Sequence, residues 1–137
     1  MQEGWYGDDY LVFFSLDQAQ AFAKTCELDS TLPGFSLVGL RGWQDFIVRD
    51  LSGTTFTIPT VPLDAEYLSR FEPPAIQELE SDPGLGGKVR WFIKPLVFGG
   101  DPQADDNVTW LSHPQHIELV RWWNDQYRAA KLELIDR

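Results

Sequence analysis

The chain has 137 residues, 43% of them hydrophobic and 14% aromatic, with one cysteine and a formal net charge of −10. That length suits one domain around a single core, and the apolar share excludes a disordered chain. The acidity argues against direct nucleic-acid binding, which relies on Lys and Arg neutralising phosphates, and the lone Cys26 excludes an internal disulfide or a cysteine zinc site.

Residues 10–14 (YLVFF) form an apolar run of strand composition. Ser15-Leu16-Asp17-Gln18 follows as a Ser-x-x-Gln capping box that opens a helix to near Cys26, with Leu16, Ala19, Phe22 and Ala23 on its apolar face. Residues 31–34 (TLPG) punctuate the chain. After them residues 35–40, 45–50 and 54–58 read as three strands, with 50–53 (DLSG) as a hairpin turn, which predicts an antiparallel meander. Residues 63–71 (LDAEYLSRF) place apolar side chains at 63, 67, 68 and 71, a helical spacing bounded by Pro62 and Pro73.

Residues 72–87 are rich in acids, Pro and Gly and predict a surface connection with one helical turn at 75–79. Residues 89–98 return to strand composition, although Pro95 forces an edge position, a bulge or a break. Ser112-His113-Pro114-Gln115 is a second capping box, so a long helix starts at His113. Its apolar face comprises Ile117, Val120, Trp123, Tyr127, Ala130 and Leu134. Trp122 and Trp123 point about 100° apart, and Trp123 takes the inner position. The elements predict a single α+β domain over residues 1–137, a largely antiparallel sheet with helices packed on one side and a long C-terminal helix.

The charge is concentrated. Residues 1–33 hold one Lys against six acids and residues 59–87 one Arg against six, so each contributes −5 while the rest is neutral. Such a field either solvates the protein or steers a basic protein partner. Aromatic side chains beside acids supply the anchors that interfaces favour. The expected contact residues are therefore Trp5, Tyr6, Asp8, Asp9 and Tyr10, then Glu78, Glu80 and Asp82, then Asp101, Asp105 and Asp106. Neither an apolar run of about 18 residues nor a basic region before an apolar core is present, which makes the cytoplasm the expected compartment and gives no reason to expect a membrane partner.

Catalytic and metal templates fail. His113 and His116 have the i,i+3 spacing of metal ligands, but a role in the first helical turn explains them more simply. Residues 101–107 have calcium-loop composition without Gly at the sixth position (Asp106) or Glu at the twelfth (Ser112). No nucleophile elbow or phosphate-binding glycine pattern occurs. The expectation is a non-enzyme without metal or cofactor. The competing reading is a small ligand-binding domain or enzyme with a pocket lined by Trp and His, in which His116 reaches a carboxylate.

Residues 39–48 (GLRGWQDFIV), 91–102 (WFIKPLVFGGDP) and 116–128 (HIELVRWWNDQYR) resemble a group of small bacterial proteins encoded beside polymorphic toxins, similar in size and α+β make-up to SUKH-like immunity proteins. The resemblance spans residues 35–131. It implies a cytoplasmic antitoxin of interbacterial competition that neutralises a cognate effector toxin, basic near its active site, by stoichiometric occlusion. No catalytic residue carries over.

Overall fold

Strands β1 (Gln2–Tyr6), β2 (Asp9–Phe13), β3 (Ser36–Arg41), β4 (Asp45–Arg49), β5 (Thr55–Pro59) and β6 (Ser69–Arg70) pair antiparallel in sequence order, so the main sheet is a meander. The computed structural model describes residues 1–135. Alternate residues of the central strands, Tyr10, Val12, Leu40, Phe46, Val48 and Ile58, enter one apolar cluster, as the period of two requires. At Gly39 a Cβ would lie 1.8 Å from the Val12 carbonyl oxygen, so only glycine lets β2 and β3 meet there.

Between β2 and β3 the chain passes through helix α1 (Leu16–Thr25) and the single turn α2 (Leu28–Thr31). The first capping box is formed: the Gln18 N–H donates to Ser15 Oγ at 3.2 Å, and the Ser15 N–H donates to Gln18 Oε1 at 3.1 Å. Ala19, Phe22 and Ala23 pack inward, whereas Leu16 in the first turn is 73% exposed. Cys26 is buried, and loss of solvent pushes its thiol up to about 11, so it behaves as a small apolar residue.

A separate two-stranded ladder pairs β7 (Lys88–Phe92) with β8 (Val108–Ser112), and helix α3 (His113–Ile135) follows directly. Its capping box is also formed, with the Ser112 N–H on Gln115 Oε1 at 3.1 Å and the Gln115 N–H on Ser112 Oγ at 3.4 Å. Helix α3 packs on β7, β8 and α1, burying His113, His116, Ile117, Val120 and Asn124. Asn124 binds three backbone groups at once: it accepts from the Leu63 N–H at 2.7 Å and donates to the Thr60 and Val120 carbonyls at 2.8 Å each. That clamp fastens residues 60–63 to the helix.

The expected α+β architecture is therefore present, with four departures. Strand β1 forms from QEGWY, which has no strand-like alternation, because β2 presents a full ladder of partners to it. Strand β8 forms from VTWLS for the same reason opposite β7. Residues 63–71 do not form the expected helix: one 3-10 turn, Ala65–Tyr67, gives way to β6, whose residues bond the open edge of β5 and whose neighbour Phe71 donates its N–H to the Thr55 carbonyl. The α3 face also ends early. Trp123 is half-buried against Phe98, Trp122 is 52% exposed and Ala130 is exposed, because beyond Tyr127 the contact is polar, through Asp64. Leu134 lies outside the residues whose side chains are described.

Candidate functional site

The outer edge of β1 carries a row of backbone groups that need partners. Residue 80 supplies them: the Trp5 N–H donates to the Glu80 carbonyl and the Glu80 N–H donates to the Trp5 carbonyl, both at 2.8 Å. Gly4 makes that approach possible, since a Cβ there would lie 2.7 Å from the Glu80 carbonyl oxygen. Two further bonds fasten the same segments, from the Trp5 indole N–H to the Asp82 carboxylate at 3.1 Å and from the Gly87 N–H to the Glu3 carboxylate at 2.8 Å. The two acidic stretches, distant in sequence, thus meet along one side of the sheet.

Of the acids on that side, Asp9 is paired with Arg41 at 3.0 Å. Among the described residues, Glu3, Asp8, Glu78, Glu80 and Asp82 have no Lys or Arg within ion-pair distance. Tyr6 is 48% exposed, and Asp8, Glu78 and Glu80 are exposed as well. Tyr10, grouped with them from the sequence, is 1% exposed and belongs to the core, because position 10 on β2 faces inward. It contributes support instead of contact.

Beneath the acids runs a column of rings. Trp5 meets Tyr10 edge-on at 5.2 Å, Tyr10 stacks on Trp43 at 4.8 Å, and Trp43 meets Trp110 edge-on at 5.3 Å. Trp110 is 44% exposed beside Gly84, Leu85 and Gly87, so the column ends at the surface. Trp43 is held with φ at +59°, rare for a bulky residue, in the turn after Gly42. Burial, then the charge of Glu3, pushes the Tyr10 phenol up to about 12, so it stays protonated beside the carboxylates. Gly4, Trp43 and Trp110 were not singled out as site residues from the sequence. A glycine inside a strand was the one available signal of close backbone approach.

Asp101, Asp105 and Asp106 are also exposed but lie elsewhere. Their loop joins β7 to β8 at the Phe92 end, while Glu3 binds the chain at Gly87, beside the opposite end of β7. Local bonds hold this loop: the Lys94 N–H donates to Asn107 Oδ1 at 2.8 Å, the Asn107 amide donates to the Lys94 and Asp101 carbonyls, and the Gln103 N–H donates to Asp101 Oδ1 at 2.9 Å. No hydrogen bond or ion pair among the described residues joins it to the β1 edge.

The histidines do not cap α3. His113 is 3% exposed between Phe14 and Phe22, and His116 is fully buried against Trp91 at 5.2 Å and Phe46 at 6.3 Å. Neither ring nitrogen of either residue bonds a protein group. Ser112 and Gln115 have already satisfied the helix terminus, leaving both imidazoles free to turn into the apolar interior. Loss of solvent holds His113 down to about 4 and His116 down to about 3, so both are neutral near pH 7. The competing reading requires His116 to reach a carboxylate, and among the described residues neither of its ring nitrogens bonds a protein group.

A cleft opens elsewhere, between the β4–β5 end of the main sheet and β7 with its following loop. Its volume is about 270 Å3, and Pro59, Val61, Trp91, Phe92, Pro95 and Leu96 are among the residues that line it. Asp45 and Arg90 also line it. Among the described residues no three or more His, Cys, Asp or Glu side chains gather as a metal site, and no helix is long and apolar enough to cross a membrane. No protein-family model, curated protein or solved structure matches this chain.

Proposed function

We propose that this protein is a non-enzymatic binding protein of the immunity class, which neutralises a basic effector toxin in the cytoplasm by covering its working surface. The observation that supports this reading is the pairing of Trp5 with Glu80, which brings Glu3, Asp8 and Asp9 of one acidic segment beside Glu78, Glu80 and Asp82 of the other. Five carboxylates there lack an ion-pair partner among the described residues. A field of one sign on a fixed frame raises the encounter rate with a basic surface and rejects acidic ones. Tyr6 at the hairpin tip and the half-buried Trp5 add aromatic surface beside the charge, the combination in which interfaces concentrate binding energy.

The mode of action follows from the frame. Glu80 is bonded to β1 through both of its backbone groups and Asp82 through its carboxylate, so little conformational entropy remains to be lost on docking. A rigid carboxylate face of this kind occupies the place that phosphates would take on a nuclease, which fits occlusion. The test is genetic and direct. The reading frame beside this gene is expressed alone and together with this protein: arrested growth that coexpression relieves is the expected result. Normal growth on expressing every neighbouring frame alone would overturn the assignment.

A further inference from the structure

The 270 Å3 cleft carries two opposite charges that do not meet. Asp45 opens β4 and its carboxylate has no hydrogen bond or ion pair among the described residues, while Arg41, whose charge acts on it, is engaged by Asp9 through both Nε and Nη2 at 3.0 Å. Arg90 on β7 has no ion pair among the described residues either, and its guanidinium lies over the Phe92 ring with its carbon 5.1 Å from the centroid. Apart from Gln44 and Thr60 the rest of the lining is apolar, and includes Pro59, Val61, Pro62, Trp91, Leu96 and Val97. Leu96 and Val97 are each 45% exposed at the mouth, a cost in water that a bound apolar group would remove.

Both walls are fixed before any ligand arrives. Asn124 clamps residues 60–63 on one side, and Asn107 ties the Lys94 backbone on the other. Such preorganisation lowers the cost of binding. The volume lies just below the range of drug-sized pockets, roughly 300–1,000 Å3, which points to a smaller ligand. Charge decides its class. An apolar acid would meet Asp45, an apolar amine would meet Arg90, and a neutral molecule would desolvate both charges without pairing either.

We propose that the cleft between Asp45 and Arg90 binds the zwitterion of an apolar amino acid, its ammonium toward Asp45, its carboxylate on the Arg90 guanidinium and its side chain among the prolines and Trp91. Arg is suited to that end, because its planar fork grips a carboxylate through two parallel N–H bonds. Burial raises the Asp45 carboxyl above the ordinary aspartate value, and an ammonium beside it would favour the ionised form. The site shares no residue with the acidic face, so it stands or falls apart from the immunity reading.

Isothermal titration with L-phenylalanine and L-leucine tests it, with phenethylamine and 3-phenylpropanoate as the two halves of one ligand. The expected result is saturable one-to-one binding of at least one amino acid with Kd on the order of 10⁻⁴ M, and at least about tenfold weaker binding of either half. Asp45→Asn and Arg90→Gln should each weaken the amino acid about tenfold, with opposite side effects: Asp45→Asn improves the acid relative to the amine, and Arg90→Gln improves the amine relative to the acid. That exchange of preference is one a merely structural role would not produce, and either variant alone reads it out if the other fails to fold. Absence of binding at about 10 mM, or half-ligands that bind as tightly as the amino acid, would overturn the proposal.

Discussion

The β1 edge and the loop of residues 101–107 are similar in composition, both acidic and both beside aromatic or Pro-Gly sequence, yet they differ in what holds them. The edge is fastened across the whole chain: residue 5 bonds residue 80, residue 3 bonds residue 87, and a column of rings lies beneath. The loop is fastened to itself, through Asn107 and Asp101 within a span of thirteen residues or fewer. Charge density alone does not distinguish them. What separates a face from a loop is long-range backbone pairing, and at the edge that pairing depends on the missing side chain of Gly4.

Acid should abolish the contrast altogether by removing the frame. His113 and His116 are neutral in the fold, with pKa values held down to about 4 and about 3 from the ordinary 6.5. The unfolded chain therefore binds more protons below pH 6.5. The stability these rings contribute is fully present above that pH and is lost as pH falls through the interval to about 4, at about 1.4 kcal/mol per pH unit for each ring. At pH 5 the pair accounts for about 4 kcal/mol, a large part of a small domain's stability. Urea titrations at pH 7.5 and pH 5 measure this, and equal midpoints would contradict it. Replacing His116 by Leu should flatten the dependence.

Smaller changes should break one region and spare the other. Gly4→Val drives a side chain into the Glu80 carbonyl and should destabilise the protein by about 2 kcal/mol, with faster hydrogen exchange at the Trp5 and Glu80 amides and unchanged exchange at the Lys94 amide. Asn107→Ala should do the reverse at about 1–2 kcal/mol, freeing the Lys94 amide and leaving Trp5 protected. If either substitution loosens both regions equally, they are not independent. Least of all, reversing Asp8 and Glu80 to Lys should alter stability by within about 0.5 kcal/mol per site, because these exposed carboxylates have no ion-pair partner among the described residues, whereas Glu78→Lys also loses the bond its carboxylate accepts from the Ala75 N–H at 3.1 Å. Thermal melts of the variants check this.

The elements legible in the sequence were those whose own residues decide them. Strands β2 to β5 announce themselves by apolar runs between turn residues, and α1 and α3 by capping boxes that form as spaced. The elements that were not legible exist because of a partner: β1, β6 and β8 lack alternation and take their pairing from a neighbour with an open edge. The site behaves the same way. Its acids stood out as composition, and Tyr6 and Asp8 emerge exposed as expected, but Tyr10 turned inward with the register of β2. The spacing of His113 and His116 was visible, and their burial was not, because burial depends on Phe14, Phe46 and Trp91 from other elements.

On the immunity reading, the joined acidic edge, and not acidity in general, engages a basic partner. Titration calorimetry with the product of the adjacent reading frame, for the wild type, the Asp8/Glu78/Glu80→Lys variant and the Asp101/Asp105/Asp106→Lys variant, tests it most directly. The edge variant should lose about a hundredfold in affinity, from three charges at about 1 kcal/mol each, while the loop variant stays within about threefold of the wild type. An edge variant that binds as tightly as the wild type would contradict it.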